Sequence, residues 1–262
     1  MVQPGMLLKL IACEVFAREV NYCASLSANT IDVVFTDKAA HDRSDGLRAI
    51  VQQLIDDAEA ARPYDAIVLG FGLCGNATAS LSSSRVPLVV PRAHDCCTLF
   101  LGSRHRYREH FEDHPSRPFS SPGYYERGEG DSYLRESTLG QTLGIDKSYQ
   151  EYVELYGEEN ARYIMETLSA TSHAGQDDTV VFVDSPEFAH LGYAERFRKQ
   201  AEADGKTFLH IAGDIRLFRK MTDGDWTPDE FLVLKPTERV APCYDWDQII
   251  RAEQPAEPPE SR

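Results

Sequence analysis

The chain is 262 residues long, with a formal net charge of −15, 42% hydrophobic residues and 10% aromatics. That length suits one large α/β domain or two small ones, and either can bury a substantial core. The acidic balance disfavours sequence-independent binding to nucleic acid or anionic membranes, since phosphate contacts call for a basic patch, and no span approaches the ~20 apolar residues of a membrane-crossing helix.

The N-terminus, MVQPGMLLKLIACEV, has no charged region ahead of its apolar run. This predicts no signal peptide and a cytoplasmic location. Six cysteines in that compartment point to reduced thiols, metal ligands or catalysis rather than to disulfides. Residues 6–12 form the apolar run of a buried parallel strand. The stretch from Cys13 to Asn29 has helical spacing, and residues 31–35 (IDVVF) are rich in the β-branched residues of a second strand. From Asp45 to Ala61, Leu47, Ile50, Val51, Leu54, Ile55 and Ala58 recur at three-and-four spacing, and Pro63 ends that helix. Residues 66–70 and 86–90 are the third and fourth strands. Strands alternating with helices predict a doubly wound, mostly parallel α/β sheet of Rossmann-like type.

Residues 104–148 break this pattern. They are polar, rich in Pro, Gly and Ser, and predict an irregular segment that covers a site. Residues 149–171 read as a helix with an aromatic face, which fits core packing better than a cofactor box. A second α/β run follows: a strand at 179–184, a helix at 188–204 closed by Gly205, a strand at 207–212, a short helix from Asp214 to Met221 and a strand at 231–234. Residues 248–262, rich in Pro, Glu and Ser, predict a disordered tail. The domain reading is therefore a first lobe (1–103), a cover (104–148), a helix plus second lobe (149–247) and the tail. Whether the two runs make one sheet or two lobes with a cleft stays open.

Cysteines follow three strands: Cys13 the first, Cys74 (in GLCGN) the third, and Cys96 (in PRAHDCC, beside His94) the fourth. Ligands of open α/β sheets bind at the carboxyl ends of strands, so these four side chains can converge. Three sulfurs and a nitrogen form a set that zinc favours, and three cysteines alone can carry a [4Fe–4S] cluster. Against this, free cysteines are commonly just small buried residues. Cys23 and Cys243 read as structural, while Cys97, next to Cys96, is expected to point elsewhere but could substitute for it. Gly72, Gly75 and Asn76 let a backbone approach a ligand closely, although Asn76 also suits a helix N-cap. GLCGN matches neither the dinucleotide-binding glycine pattern nor the P-loop. Arg92 can hold a carboxylate or phosphate, or can pair with Asp95 or Glu14. Glu14 suits a general base or a partner for His94. Asp184 and Asp214, at strand ends in the second run, either face the same cleft or cap helices.

ACEVFAREV (12–20), YDAIVLGFGLCGN (64–76), PRAHDCCTLFLGSRHRYREHF (91–111) and the later PGYYERGEG together resemble the DUF1638 family of uncharacterised proteins. The resemblance spans most of residues 7–235, with a departure after PG, where the family more often continues with an extra Thr and a later Trp. It implies no settled activity. The company such proteins keep implies a component of corrinoid-dependent methyl transfer. Two readings follow. In the first, a zinc-dependent (or iron–sulfur) enzyme of one-carbon metabolism uses Cys13, Cys74, His94 and Cys96 on a small-molecule substrate, with a corrinoid protein as partner. In the second, a non-enzymatic binding protein keeps structural cysteines and docks a basic partner on its acidic surface.

Overall fold

A computed structural model of the chain describes residues 5–38, 44–74, 76–114, 117–127, 153, 157, 158, 162, 178–243, 245 and 247–254. The first half builds β1 (Leu7–Cys13), α1 (Ala17–Leu26), β2 (Thr30–Thr36), α2 (Ser44–Ala61), β3 (Ala66–Gly70) and β4 (Leu88–Pro91). It continues through α3 (Cys96–Leu101), α4 (Arg104–Phe111), β5 (Phe119–Ser120) and α5 (Pro122–Arg127). The second half adds β6 (Thr179–Asp184), α6 (Tyr193–Ala203), β7 (Thr207–Ala212), α7 (Arg216–Asp223), β8 (Phe231–Leu234), β9 (Arg239–Pro242) and β10 (Ile250–Glu253).

The predicted parallel sheet is present, in the order β2-β1-β3-β4-β8. β1 pairs in parallel with both β2 and β3, and β3 pairs in parallel with β4. Every residue of β3 and β4 is buried, as expected of strands covered on both faces. β8 closes the sheet antiparallel to β4, so the strand at 231–234 joins the first sheet rather than its sequence neighbours. Those neighbours form a separate three-stranded parallel sheet, β5-β6-β7. Among the described residues a two-stranded β9-β10 hairpin makes a third sheet, and the two larger sheets share one core: Val181, Val183 and Ile211 of the three-stranded sheet pack with the apolar residues of the five-stranded one. At its centre Phe16, which is fully buried, lies 4.7 Å from Phe100 and 5.0 Å from Phe218 between ring centroids.

Several expectations need correction. The segment from 104 was read as irregular, yet residues 104–127 hold α4, β5 and α5; the rest of that segment lies outside the described residues. The helix expected after β3 is absent, and residues 76–80 are turns. Ile250–Glu253, assigned to the tail, pairs with β9 as a hairpin strand. The helix read at 149–171 falls almost wholly outside the described residues. Among the described residues no helix is long and apolar enough to cross a membrane.

One buried side chain carries a measurable consequence. Glu19 of α1 is 1% exposed, and its Oε2 makes no hydrogen bond. Burial is the main cause that raises its pKa to about 7. The native state therefore keeps a proton that the unfolded chain has already released, so stability falls as pH rises from the usual carboxylate range to about 7. Glu19→Gln is expected to stabilise the protein by roughly 3 kcal/mol at pH 8 and to change little at pH 4.5. Urea unfolding at the two pH values checks this; an equal shift at both sinks it.

Candidate functional site

Because β1, β3 and β4 run parallel as neighbours, their carboxyl ends share one edge of the sheet. The chain passes from β1 to β2 on one side and then returns to β3 on the other, so the strand order reverses between β1 and β3. In open α/β sheets ligands bind at the carboxyl edge beside such a reversal. Cys13 ends β1, Cys74 lies four residues beyond β3, and Cys96 is the first residue of α3, just past β4.

The turns after β3 and β4 are laced together. Leu73 N donates to Ala93 O at 2.8 Å, and Cys74 N donates to His94 O at 3.0 Å. Gly72 makes this possible: a Cβ there would stand 2.6–2.7 Å from the backbone N, Cα and C of Asp95. Its role in the structure is close packing of the two turns. Cys74 and Asn76 both take the left-handed backbone region, at φ 46° and 69°, which is uncommon for residues with a Cβ. Asn76 caps no helix; its carbonyl accepts from Arg48 Nη2 at 2.7 Å. Gly75 lies outside the described residues.

The lacing brings Cys74 Sγ to 3.8 Å from Cys96 Sγ. Cys96 is 3% exposed, and Cys74 is half-buried. Asp95 fixes the start of α3 as its N-cap, accepting from Thr98 N at 3.1 Å and from the Tyr107 hydroxyl. Burial raises the Asp95 carboxyl above its usual range, and these hydrogen bonds oppose that rise.

Tyr124 closes over the sulfurs. Its hydroxyl hydrogen-bonds the Cys96 sulfur. Burial, with the Cys96, Cys13 and Cys74 thiols beside it, holds this phenol well above the ordinary tyrosine range. Its ring is wedged against Phe119 (5.5 Å, edge-on) and Phe100 (6.2 Å). Gly123, in the first turn of α5, fits against the Val15 carbonyl so tightly that a Cβ would lie 1.6 Å from the oxygen. Glu14 locks the helix from the other side, taking Arg127 Nε at 2.9 Å and Lys38 N at 2.9 Å. Glu14 is thus a tie between α5 and the ends of β1 and β2. Tyr124 was missed because PGYYER was read as part of an irregular cover. The available signal was Pro122, a residue favoured in the first turn of a helix, ahead of two aromatics.

Several of the remaining predicted residues are engaged with other partners. His94 stacks on Tyr107 (5.6 Å, 28°), and burial lowers its pKa, which favours the neutral ring. Among the described residues no three His, Cys, Asp or Glu side chains are gathered closely enough to hold a metal. Of the expected set of Cys13, Cys74, His94 and Cys96, the sulfurs of Cys74 and Cys96 stand in contact. Arg92 does not face the sulfurs with an open guanidinium: its Nε donates to Pro228 O at 2.9 Å, and its Nη1 donates to Gln248 O at 2.6 Å and to Ile250 O. It braces the C-terminal hairpin to β4. Asp184 Oδ1 lies 2.5 Å from His210 Nε2, and Asp214 Oδ1 accepts from Arg216 N at 2.8 Å, just ahead of α7. Cys97 and Cys23 are buried, and burial pushes the Cys23 thiol up to about 12, as suits structural residues.

A cavity of about 540 Å³ opens beside α1 and α5, lined by Ala17, Arg18, Asn21, Glu126, Arg127 and Phe188. Arg18 grips Glu126 with both Nε and Nη2, and Tyr193 donates to the same carboxylate at 2.8 Å. These contacts hold the Glu126 carboxyl below its usual range against the cost of burial.

Topology and side chains together define an α/β protein with a pair of thiols, Cys74 and Cys96, in contact at the carboxyl edge of its mostly parallel sheet. The DUF1638 family, described as a protein of unknown function, matches residues 35–222, and the chain belongs to it. Cys74, His94, Cys96 and Tyr124 fall inside the matched stretch; Cys13 and Glu14 precede it. No curated protein and no solved structure matches the chain.

Proposed function

We propose that the chain is a zinc-dependent enzyme of small-molecule metabolism, with Cys74 and Cys96 as its primary metal ligands. The observation that carries this reading is the sulfur separation. Two thiolates on one tetrahedral zinc, with bonds of ~2.3 Å, lie about 3.8 Å apart, and the pair stands at 3.8 Å. A [4Fe–4S] cluster takes each cysteine on a different iron and needs sulfurs spread more widely, so zinc is preferred. Cys13, at the next strand end, and the neutral ring of His94 are the residues that would complete the set. Bound there, zinc would supply Lewis acidity that lowers the pKa of a thiol or water.

The chain's own residues would do the rest. Tyr124 steadies the Cys96 sulfur, and Glu14 holds α5 in place over it. In this reading the five-stranded sheet is a Rossmann-like platform and the second sheet a facing lobe, with the substrate between them. Methyl transfer with a corrinoid protein as partner is the chemistry that the family resemblance supports.

The test is metal analysis and a UV–visible spectrum of protein purified anaerobically without chelator. Stoichiometric zinc and no brown absorbance are expected. Protein that emerges metal-free, and that takes up no zinc with Cys74 and Cys96 reduced, refutes the reading.

A further inference from the structure

Cys74 and Cys96 also have the makings of a redox couple. Closing 3.8 Å to the ~2.05 Å bond of a disulfide takes a sulfur movement of under about 2 Å. The two thiols differ in access and in footing. Cys74 is half-buried and rides on a turn whose left-handed φ of 46° is uncommon for a cysteine. Cys96 is buried, sits at the start of α3 beside its Asp95 cap, and takes the Tyr124 hydrogen bond on its sulfur. An accessible thiol on a strained turn, facing a buried one on a fixed element, is the division of labour that thiol–disulfide exchange requires.

We propose that Cys74 and Cys96 form a redox-active dithiol that exchanges with small-molecule disulfides, Cys74 attacking first and Cys96 resolving. The Cys74 thiolate attacks one sulfur of the small disulfide. Its S–S bond breaks, a mixed disulfide forms on Cys74, and the other half leaves as a thiolate. Cys96 then attacks the Cys74 sulfur, breaks the mixed bond and releases the second half. The protein loses two thiol protons and two electrons; the small disulfide gains both and becomes two thiols. This activity stands on the dithiol alone and requires no metal. Zinc on the same pair would block it.

The experiment uses the full-length protein, reduced and stripped with chelator, mixed with oxidised glutathione and quenched in acid for mass spectrometry. In the unmodified chain a disulfide joining the Cys74 and Cys96 peptides is expected. Cys96→Ser is expected to trap glutathione on Cys74, and Cys74→Ser to react at least about tenfold more slowly, since its remaining thiol is buried. A disulfide between other cysteines, glutathione left stably on Cys74 of the unmodified chain, or no trapping in Cys96→Ser overturns the proposal. The same reaction with zinc present reports separately on the metal. Protection supports zinc at the pair, whereas unhindered exchange counts against zinc and leaves the disulfide result standing.

Discussion

Under the proposed zinc reading, Cys96→Ala is expected to abolish zinc binding. Changes in the groups around a metal's ligands weaken binding by roughly 10–100-fold. Removing one of two primary sulfurs should exceed that and leave affinity at least about a hundredfold lower. Cys74→Ala should match it, because the two sulfurs contribute as a pair set 3.8 Å apart. The adjacent Cys97 is the control: it is buried but makes no pair with Cys74, so Cys97→Ala should retain the metal. Competition against a chromophoric chelator measures all three. Wild-type affinity in Cys96→Ala would place the ligands elsewhere, even in a protein that holds metal.

Gly123→Ala should be the most damaging small substitution near the site. The added Cβ would fall 1.6 Å from the Val15 carbonyl oxygen, which is backbone of the short 3-10 turn (Glu14–Phe16) after β1 and cannot yield like a flexible side chain. Overpacking of this kind costs roughly 1–3 kcal/mol, occasionally more. At the upper end, a protein of this size loses about 6–12 °C of Tm. The alternative to that cost is release of α5, and Tyr124 would then leave the Cys96 sulfur. Thermal melting and the rate of Cys96 alkylation together cover both routes. A variant that melts with the wild type and alkylates at the wild-type rate would show that α5 is not seated against Val15.

The parallel sheet was legible because its strands are short and mostly apolar, and the first three are separated by helices. β3 at 66–70 and β6 at 179–184 fall where the pattern places them. The strand-end cysteines were legible for the same reason, since parallel neighbours must finish on one edge. What the pattern missed depends on pairing over long distances. Nothing local in FLVL marks it as a partner for β4 rather than β7. The hairpin strand at 250–253 was hidden by the Pro- and Glu-rich stretch beyond it. Arg92 looked like a ligand-binding guanidinium because its partners are backbone carbonyls at 228, 248 and 250, which carry no side-chain signature. Tyr124 sits 28 residues from Cys96 on a helix of only six residues, too short to announce itself by period.

The antiparallel closure by β8 bears on how the chain reaches its native state. Leu88 pairs with Leu234 across more than half the chain's length, and Arg92 N reaches Glu230 O beside them. Contacts so distant in sequence close slowly, because the entropy of the intervening loop is lost before the pairing stabilises anything. During synthesis, β1 to β4 leave the ribosome long before their fifth strand does. Until then β4 is an open edge, with free backbone donors and acceptors flanked by Leu88, Val89 and Val90. That interval is when the nascent protein is most exposed to misassembly, and a chaperone that shields the β4 edge should raise the yield of folded chain.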